Sequence, residues 1–427
     1  MPAPSPEPRN LASVDLSGKP EEIVKQFEEV VELRKFLRWG SDEEGAFAEY
    51  RLRPGEAIYS AVVVRFCGLV RADEVRPVAR LIIDRNRIAD ETDMAIGTPI
   101  RIPYDLLEPE FRRDDDPEFA AYLQNLQAVA DVSTDISTRN LEGVYIVLDA
   151  GHGGRDPGAK VGLVWEDDFV YDIVCRIKAR LERESAATVV TTVFDPSVHY
   201  RVQDTSRFTL DHDEVLLTHP SYPLSHPRVG TDGVHLRYIL ANHLYHQWTK
   251  DGVKPENILF ASIHADFLHQ GIRGNMVYIP DARDFPKRVA PSVRFKKYRE
   301  YIGNQFQFDL QSMRQAQARS MNFASFFISQ SKHAGVLVHK QKPIRSVIHR
   351  NHYKSYVPAV VKFNTIPTRC LIEVCNLNNK DDRLLLQKPS FRQKTADVFV
   401  EAVYQTYGVP SAGGGQAITA SGARTGK

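Results

Sequence analysis

From Val144 onward, the chain alternates short apolar runs rich in β-branched residues with longer segments of helical periodicity. The predicted strands are Val144–Leu148, Thr188–Val193, Ile258–Ile263, Met276–Ile279 and Cys370–Val374. The predicted helices lie between and after them, over residues 167–184, 235–249, 311–330 and 391–407. Strands that alternate with helices are typical of α/β proteins, in which helices flank a central sheet. We therefore predict an α/β domain with a central mixed sheet over residues 141–408, with insertions near 196–233 and 281–345.

The part of the chain before this domain divides into three segments. Residues 1–49 are predicted to be a disordered, Pro-rich lead followed by a helix that starts at Pro20. Residues 50–106 are predicted to form a small β-α-α-β module, and residues 107–140 a linker with a short helix near 118–130. At the other end, the Gly-, Ala- and Ser-rich residues 409–427 are predicted to be a disordered tail.

The predicted module has a recognisable pattern. A turn at Pro54-Gly55 leads to the apolar run Tyr59–Val64, taken as the first strand, then to a helical stretch Pro77–Arg87 and a second strand Thr98–Pro103. The stretches Gly55–Tyr59 and Gly97–Pro103 resemble those of the lysin motif. The resemblance implies binding of glycans that contain N-acetylglucosamine. A small α/β module without a ligand is the alternative.

Composition argues against several classes of protein. The chain has 55 Lys and Arg against 54 Asp and Glu, so its net charge of +1 does not suit a globally basic nucleic-acid-binding protein. We predict no membrane-spanning helix, because the chain has no apolar run of the required length, about 20 residues. The four scattered cysteines include no CxxC pair, and Cys370 and Cys375 are predicted to be buried. The N-terminal stretch MPAPSPEPRN lacks the apolar segment of a signal peptide.

Two histidines and two glutamates are candidates for chemistry, and a histidine at the carboxyl end of a sheet strand lies where an α/β protein usually binds its ligands. His152 follows the first predicted strand in a glycine-rich loop, LDAGHGGRDPGA, and Glu166 precedes the first helix of the domain. His264 ends a second strand in the sequence SIHAD, and Glu373 lies inside the last, apolar strand. Two histidines and one glutamate are a donor set typical of catalytic zinc, with a further carboxylate as general base. An ionised Glu373 in a buried strand costs several kcal/mol unless a metal or its bound water compensates it.

These blocks, together with LIEVCNLNNKDDRLL around Glu373, occur in the order of the zinc-dependent N-acetylmuramoyl-L-alanine amidases. Residues 143–408 resemble this family of peptidoglycan hydrolases. The segment VHLRYILAN resembles the family's helix with the pattern L-x-x-R-x-x-x-A-N. The resemblance implies His152, Glu166 and His264 as ligands of Zn²⁺ and Glu373 as the catalytic carboxylate. It implies cleavage of the amide between N-acetylmuramic acid and L-alanine, and hence a periplasmic or secreted protein.

The chain also departs from the family pattern. Cys375-Asn376 stand where the family usually has Gly-Phe, which predicts an altered wall beside Glu373. Some family members carry an inserted helix that blocks the active site until an activator protein binds. One of the two insertions is a candidate for such a role. Two alternatives to the amidase remain open: a zinc peptidase that acts within stem peptides, and a non-catalytic cell-wall-binding protein.

Other polar groups in the domain carry weaker signals. His243 and His246, and the triplet Asp211-His212-Asp213, have spacings that can hold a metal, but neither has a third partner in register. We therefore expect ordinary surface or core side chains there. The first insertion also contains arginines that suit carboxylates of peptidoglycan stem peptides, namely Arg201, Arg207 and Arg228.

Overall fold

The computed structural model describes residues 10–132, 140–209, 211–286, 288–289, 291–302, 306–351 and 354–409. Its helices are α1 (Glu21–Arg34), α2 (Ala72–Arg85), α3 (Pro117–Asp131), α4 (Glu166–Glu184), α5 (Val234–Lys250), α6 (Leu310–His333), α7 (Ala359–Lys362), α8 (Lys380–Leu386) and α9 (Pro389–Thr406). Its strands up to the middle of the chain are β1 (Arg38–Asp42), β2 (Gly45–Arg51), β3 (Pro99–Pro103), β4 (Tyr145–Ala150), β5 (Lys160–Val161), β6 (Val164–Trp165), β7 (Thr188–Thr191), β8 (Val193–Phe194), β9 (Val215–Leu216) and β10 (Tyr222–Pro223). The later strands are β11 (Ile258–Asp266), β12 (Met276–Tyr278), β13 (Arg288–Val289), β14 (Phe306–Gln307), β15 (Ile344–Arg345), β16 (Ile348–Asn351), β17 (Lys354–Tyr356) and β18 (Thr368–Asn376).

A six-stranded mixed sheet in the order β15-β12-β18-β11-β4-β7 forms the centre of the α/β domain. The strands β7, β4, β11 and β18 are parallel, while β12 runs antiparallel to β18. The predicted α/β class, the mixed sheet and its flanking helices are thus confirmed. All nine residues of β18 are buried, as expected of a strand covered on both faces.

Side chains of the central strands alternate between two apolar layers. Residues such as Ile146, Leu148 and Ile263 pack with α4, α6 and α9 on one face. Val147 and Phe260 face the opposite layer, which contains α5 and α7. Because side chains on a strand alternate with period two, Asp149, Ser262, His264 and Glu373 share the face of Val147 and Phe260. Strand alternation therefore collects these polar residues on one side of the sheet.

The N-terminal region forms a second apolar core, built from a three-stranded antiparallel sheet, β1-β2-β3, and two helical segments. Between β2 and β3 lie a π-helical segment, Ile58–Val64, and α2, so the order strand, helix, helix, strand is present. The assignment of Tyr59–Val64 as the first strand was wrong, because this buried apolar run is helical. A short, continuously apolar run fits a buried helix as well as a strand. The first strands instead lie at β1 and β2, so this sheet begins before residue 50.

The segment predicted as a linker packs closely against the rest of the molecule. Pro117 begins α3 and Asp116 caps it by accepting the Glu118 N–H at 2.8 Å. The helix then packs against α6. Val64 and Val70 join the apolar layer beside α5, and the Arg345 guanidinium donates to the Gly68 carbonyl at 2.9 Å. The N-terminal core is therefore docked on the α/β domain.

Several predictions concern segments that lie outside the described residues. The segments are residues 1–9 of the predicted Pro-rich lead, residues 133–139 of the predicted linker and the predicted tail from residue 410. Within the described residues, no helix is both long and apolar enough to cross a membrane. All four cysteines are buried and free, as predicted for Cys370 and Cys375.

Candidate active site

Three adjacent parallel strands deliver the predicted site residues to one edge of the sheet. His152 follows the end of β4, and His264 lies near the end of β11. Glu373 on β18 is the register partner of His264. Glu166 is the first residue of α4, directly after the β5–β6 hairpin. Parallel strands end at a common edge, which is why residues more than two hundred positions apart meet there.

His152, Glu166 and His264 form a compact cluster. One potential ligand atom from each lies within 4.8 Å of the others. Glu166 Oε1 lies 2.9 Å from His264 Nδ1, and Glu166 Oε2 lies 3.4 Å from His152 Nε2. The two imidazole rings are nearly perpendicular, with centroids 5.0 Å apart. Two imidazoles and one carboxylate in this arrangement can hold a divalent metal such as zinc.

Two glycines of the loop after β4 make this close approach possible. A Cβ at Gly151 would lie 2.3 Å from the His264 ring. A Cβ at Gly158 would lie 2.4 Å from Glu166 Oε2, and its φ of +66° also disfavours other residues. The glycines of this loop therefore allow close approach of the cluster's own side chains.

A buried hydrogen-bond chain sets the protonation of His264. The Ser262 hydroxyl donates to Asp149 Oδ2 at 2.5 Å and lies 3.0 Å from His264 Nε2. Because the Ser262 hydroxyl donates its only proton to Asp149, its oxygen accepts the Nε2–H of His264. Nε2 is thereby engaged, so Nδ1 is the nitrogen that faces Glu166 and is left to bind a metal, which is how a metal-binding histidine is usually oriented. The donor chemistry of the cluster therefore fits a cation.

Arg237, from the predicted L-x-x-R-x-x-x-A-N segment, holds the loop that contains His152. Its guanidinium is buried and donates to Asp149 and to the backbone carbonyls of Ala150 and His152. Asn242 on the same helix, α5, donates to the Phe363 carbonyl at 2.9 Å and accepts the Thr365 N–H at 2.7 Å. Arg237 thus holds the loop after β4 in place, and Asn242 holds the segment that leads into β18.

Electrostatics inside the cluster favour a bound cation. Burial lowers the pKa of His152, but the carboxylates of Glu166 and Asp156 outweigh it and raise this pKa to about 9. Burial raises the pKa of Glu166, and the two histidines reverse the effect, so the net pKa lies below its ordinary value. Asp156 Oδ1 lies 3.1 Å from His152 Nδ1, which leaves Nε2 directed at Glu166. The carboxylates thus stabilise positive charge at this position.

Glu373 is a buried carboxylate without compensation. Its exposed fraction is 8%, and its Oε2 has no hydrogen-bond partner among the described residues. Burial, followed by the charges of Asp266 and Glu166, raises the pKa of Glu373 well above its ordinary value. Asp266, for its part, has its pKa raised to about 7 by burial and then by Glu166, against the opposing charges of Arg71 and Arg345. An acid with a raised pKa at a metal-capable cluster suits general acid–base chemistry.

Sequence reasoning missed several partners of the site. Asp266 stands two residues after His264 in SIHAD, and Asp149 and Ser262 are the strand residues beside the loop and His264. Period-two alternation along β4 and β11 was the signal that could have found the last two. Asn376, one of the departures from the family pattern, bonds the loop after β11. Its Nδ2 donates to the carbonyls of His269 and Ile272.

The other histidines, the acidic triplet and the arginines of the first insertion differ in what the structure shows of them. Within the described part of the chain, the metal-capable clusters are His152/Glu166/His264 and Asp211/Asp213/Glu214, so His243 and His246 belong to neither. The three arginines of the first insertion are exposed: Arg201 donates to the Val198 carbonyl, Arg228 pairs with Asp232, and Arg207 lies nearby in the same insertion. A role for these arginines in substrate binding stays a prediction.

The fold and the cluster together define an α/β protein with a histidine–glutamate site at the carboxyl edge of a mixed sheet. The chain belongs to the N-acetylmuramoyl-L-alanine amidase family, because the family model Amidase_3 matches residues 146–405. A comparison with curated protein sequences gave no match. Membership supports a hydrolase with peptidoglycan amidase activity.

Solved structures of several amidases are similar to this chain at low identity. N-acetylmuramyl-L-alanine amidase Ami1 from Mycobacterium smegmatis is 19% identical, over 63% of this chain and 99% of that one, with a TM-score of 0.38. The CwlD amidase from Clostridioides difficile, in complex with the GerS lipoprotein, is 17% identical over 62% and 98%, with a TM-score of 0.37. The catalytic domain of CwlV from Bacillus (Paenibacillus) polymyxa is 18% identical over 62% and 99%, with a TM-score of 0.34.

Proposed function

We propose that this protein is a zinc-dependent amidase that cleaves the bond between the lactyl group of N-acetylmuramic acid and L-alanine in peptidoglycan. The observation that carries the proposal is the meeting of His152, Glu166 and His264 beside the unpartnered carboxylate of Glu373. His152 Nε2, His264 Nδ1 and Glu166 would hold the metal. Bound zinc supplies a Lewis acid that polarises a carbonyl and makes water more acidic.

The chain's own residues account for the proton transfers. Glu373 accepts a proton from the attacking water as the carbon–oxygen bond to the lactyl carbonyl forms. It then delivers this proton to the alanine nitrogen as the carbon–nitrogen bond breaks, so that the products are a free carboxyl group and a free amino terminus. The raised pKa of Glu373 lets the protonated form persist long enough to serve as the acid. Asp149 and Ser262 keep His264 Nδ1 free of a proton throughout.

The test is a digest of purified peptidoglycan by the full chain, with the new amino termini identified. We expect free L-alanine termini that appear with zinc and disappear after chelation. Other new termini would indicate the zinc peptidase. No products with zinc bound would leave a blocking insertion or the cell-wall-binding protein, and the deletion of residues 285–310 separates these two. Glu373→Gln should lower turnover by at least 10²-fold with zinc still bound. The matched control is Glu22→Gln, which changes a buried glutamate paired with Lys332 outside the site.

We also propose that the β-α-α-β module binds N-acetylglucosamine-containing glycan and thereby holds the enzyme on its substrate. Its docking on the α/β domain, through the hydrogen bond from Arg345 to the Gly68 carbonyl, supports such a tether. The check is retention of the Glu373→Gln variant on insoluble peptidoglycan, with competition by N-acetylglucosamine oligomers. Undiminished retention under competition would favour a module without this ligand. The substrate lies outside the cytoplasm, so we propose a periplasmic or secreted protein; an activator protein stays a prediction.

A further inference from the structure

The two strands that carry His264 and Glu373 change register directly after these residues. His264 of β11 pairs with Glu373 of β18, whereas Asp266 of β11 pairs with Asn376 of β18. Residues 374–375 of β18 therefore lie opposite a single residue of β11. Such a two-against-one arrangement is a β-bulge, which bends a strand and redirects its side chains, and bulges are frequent next to active sites.

Packing of the apolar side chains shows the same bulge. Ile372 and Val374 pack in the layer of α4, α6 and α9, as alternation along β18 requires. Strict alternation would place Cys375 on the face of Glu373, yet Cys375 packs in the same layer as Val374. The bulge thus turns the thiol away from the site, and Asn376 becomes the next residue of β18 in register with β11. These are the two positions at which the chain departs from the family pattern.

The side-chain amide of Asn376 is buried and makes four hydrogen bonds, which is its full capacity. Its Oδ1 accepts the backbone N–H groups of Leu268 and Asn378 at 3.0 and 3.1 Å. Its Nδ2 donates to the carbonyls of His269 and Ile272 at 3.0 and 2.8 Å. Three of these four bonds reach the loop that follows β11, so one side chain joins the ends of the two strands that carry His264 and Glu373.

The carboxylate of Glu373 is held mainly through its backbone. Its Oε2 has no hydrogen-bond partner among the described residues, so the path of β18 sets where this oxygen lies. That path is fixed up to Glu373 by the pairing with β11, and after Glu373 by the bulge and the amide of Asn376. The backbone N–H of Asn376 adds a bond to Asp382 Oδ2 at 3.1 Å. A change at Asn376 therefore shifts the strand that carries Glu373 relative to His264.

We propose that Asn376 is a positioning residue: by holding the bulge of β18 against the loop after β11, it places the Glu373 carboxylate beside His264. It acts through Glu373 and does not itself contact the reacting atoms. The inference rests on the proposed amidase function, in which Glu373 transfers the proton. A misplacement of about 1 Å can cost about 10²-fold in rate. We therefore expect loss of the amide to lower kcat but to spare zinc affinity, because His264 keeps its contact with Ser262.

The experiment compares peptidoglycan turnover by the zinc-loaded full chain and its Asn376→Ala variant. We expect kcat to fall by about 10-fold or more, with KM and zinc affinity changed by less than about 3-fold. Asn376→Asp keeps the size of the side chain and the two bonds that its Oδ1 accepts, and it decides the question if the alanine variant does not fold. The matched control is Asn378→Ala, which removes the 2.7 Å bond from Asn378 Nδ2 to the Leu268 carbonyl in the same loop and should keep a normal kcat.

Two further readouts separate positioning from a general loss of structure. In the Glu373→Gln background, Asn376→Ala should cause no further loss of rate, because no proton-transferring carboxylate is left to misplace. A crystal structure of Asn376→Ala should show the Glu373 carboxylate moved by about 1 Å or more relative to His264. If the unchanged protein releases no L-alanine termini, the amidase function fails, and this crystal structure still tests the position of Glu373. An unchanged kcat in a folded variant, an equal loss of rate in the Glu373→Gln background, or an unmoved Glu373 would overturn the proposal.

Discussion

Replacing Ser262 by alanine tests whether the hydrogen-bond chain behind His264 prepares it to bind metal. Ser262 is fully buried and its hydroxyl contacts Asp149 Oδ2 and His264 Nε2 at 2.5 and 3.0 Å. Alanine leaves both partners without this contact, and each buried unsatisfied group costs about 1–3 kcal/mol. Asp149 keeps its bonds from Arg237 and Thr192, so we expect a total loss of about 2 kcal/mol in the free energy of unfolding.

The larger expected effect of Ser262→Ala is on the metal. Without an acceptor at Nε2, His264 no longer favours the tautomer with a free Nδ1, and loss of such a supporting contact typically weakens metal affinity by about 10–100-fold. Competition with a chromophoric zinc chelator measures this affinity directly. The control is Ser325→Ala, which removes a buried hydroxyl bonded only to its own helix at Met321. An unchanged zinc affinity in Ser262→Ala would refute the argument, whatever happens to stability.

Three further predictions concern the loop, the acidic residues and the second insertion. Arg237→Lys should lower kcat/KM by about 10-fold or more, because the single ammonium nitrogen of lysine cannot reproduce the planar fork whose two nitrogens reach Asp149 and two carbonyls; normal kinetics would contradict this role. The folded-state pKa of Asp167 is raised to about 8 by burial and then by Asp168 and Glu214, so its stabilising contribution is full below about pH 4 and is lost as pH rises through 8. The free energy of unfolding, and with it Tm, should therefore fall between pH 6 and 8.5, the free energy by up to about 1.4 kcal/mol per pH unit, and Asp167→Asn should flatten this slope. If the second insertion covers the site, deleting residues 285–310 should raise peptidoglycan turnover in a variant that keeps its Tm; no rise would count against that role.

The sequence by itself determined the main elements of the α/β domain and singled out His152, Glu166, His264 and Glu373 as candidate site residues. Periodicity placed β4, β11, β18 and the long helices to within a few residues, because buried parallel strands are continuously apolar and helices carry an apolar face. The glycine-rich loop around His152 and the single carboxylate of Glu373 within an apolar strand indicated where the reactive residues lie. Local pattern failed at Tyr59–Val64, because the consecutive buried residues Ala61–Val64 carry no period that separates helix from strand.

Only the tertiary structure decided which polar residues meet. The pairing of β11 with both β4 and β18 brings Asp149, Ser262, His264 and Glu373 onto one face of the sheet. The return of the first insertion toward the loop after β4 brings the Glu214 carboxylate to the Gly154 N–H, a contact between residues 60 positions apart that no spacing rule predicts. Burial then changes the acidity: it raises the pKa of Glu373 and of Glu214 above the values that these side chains have on an exposed loop, because water is excluded.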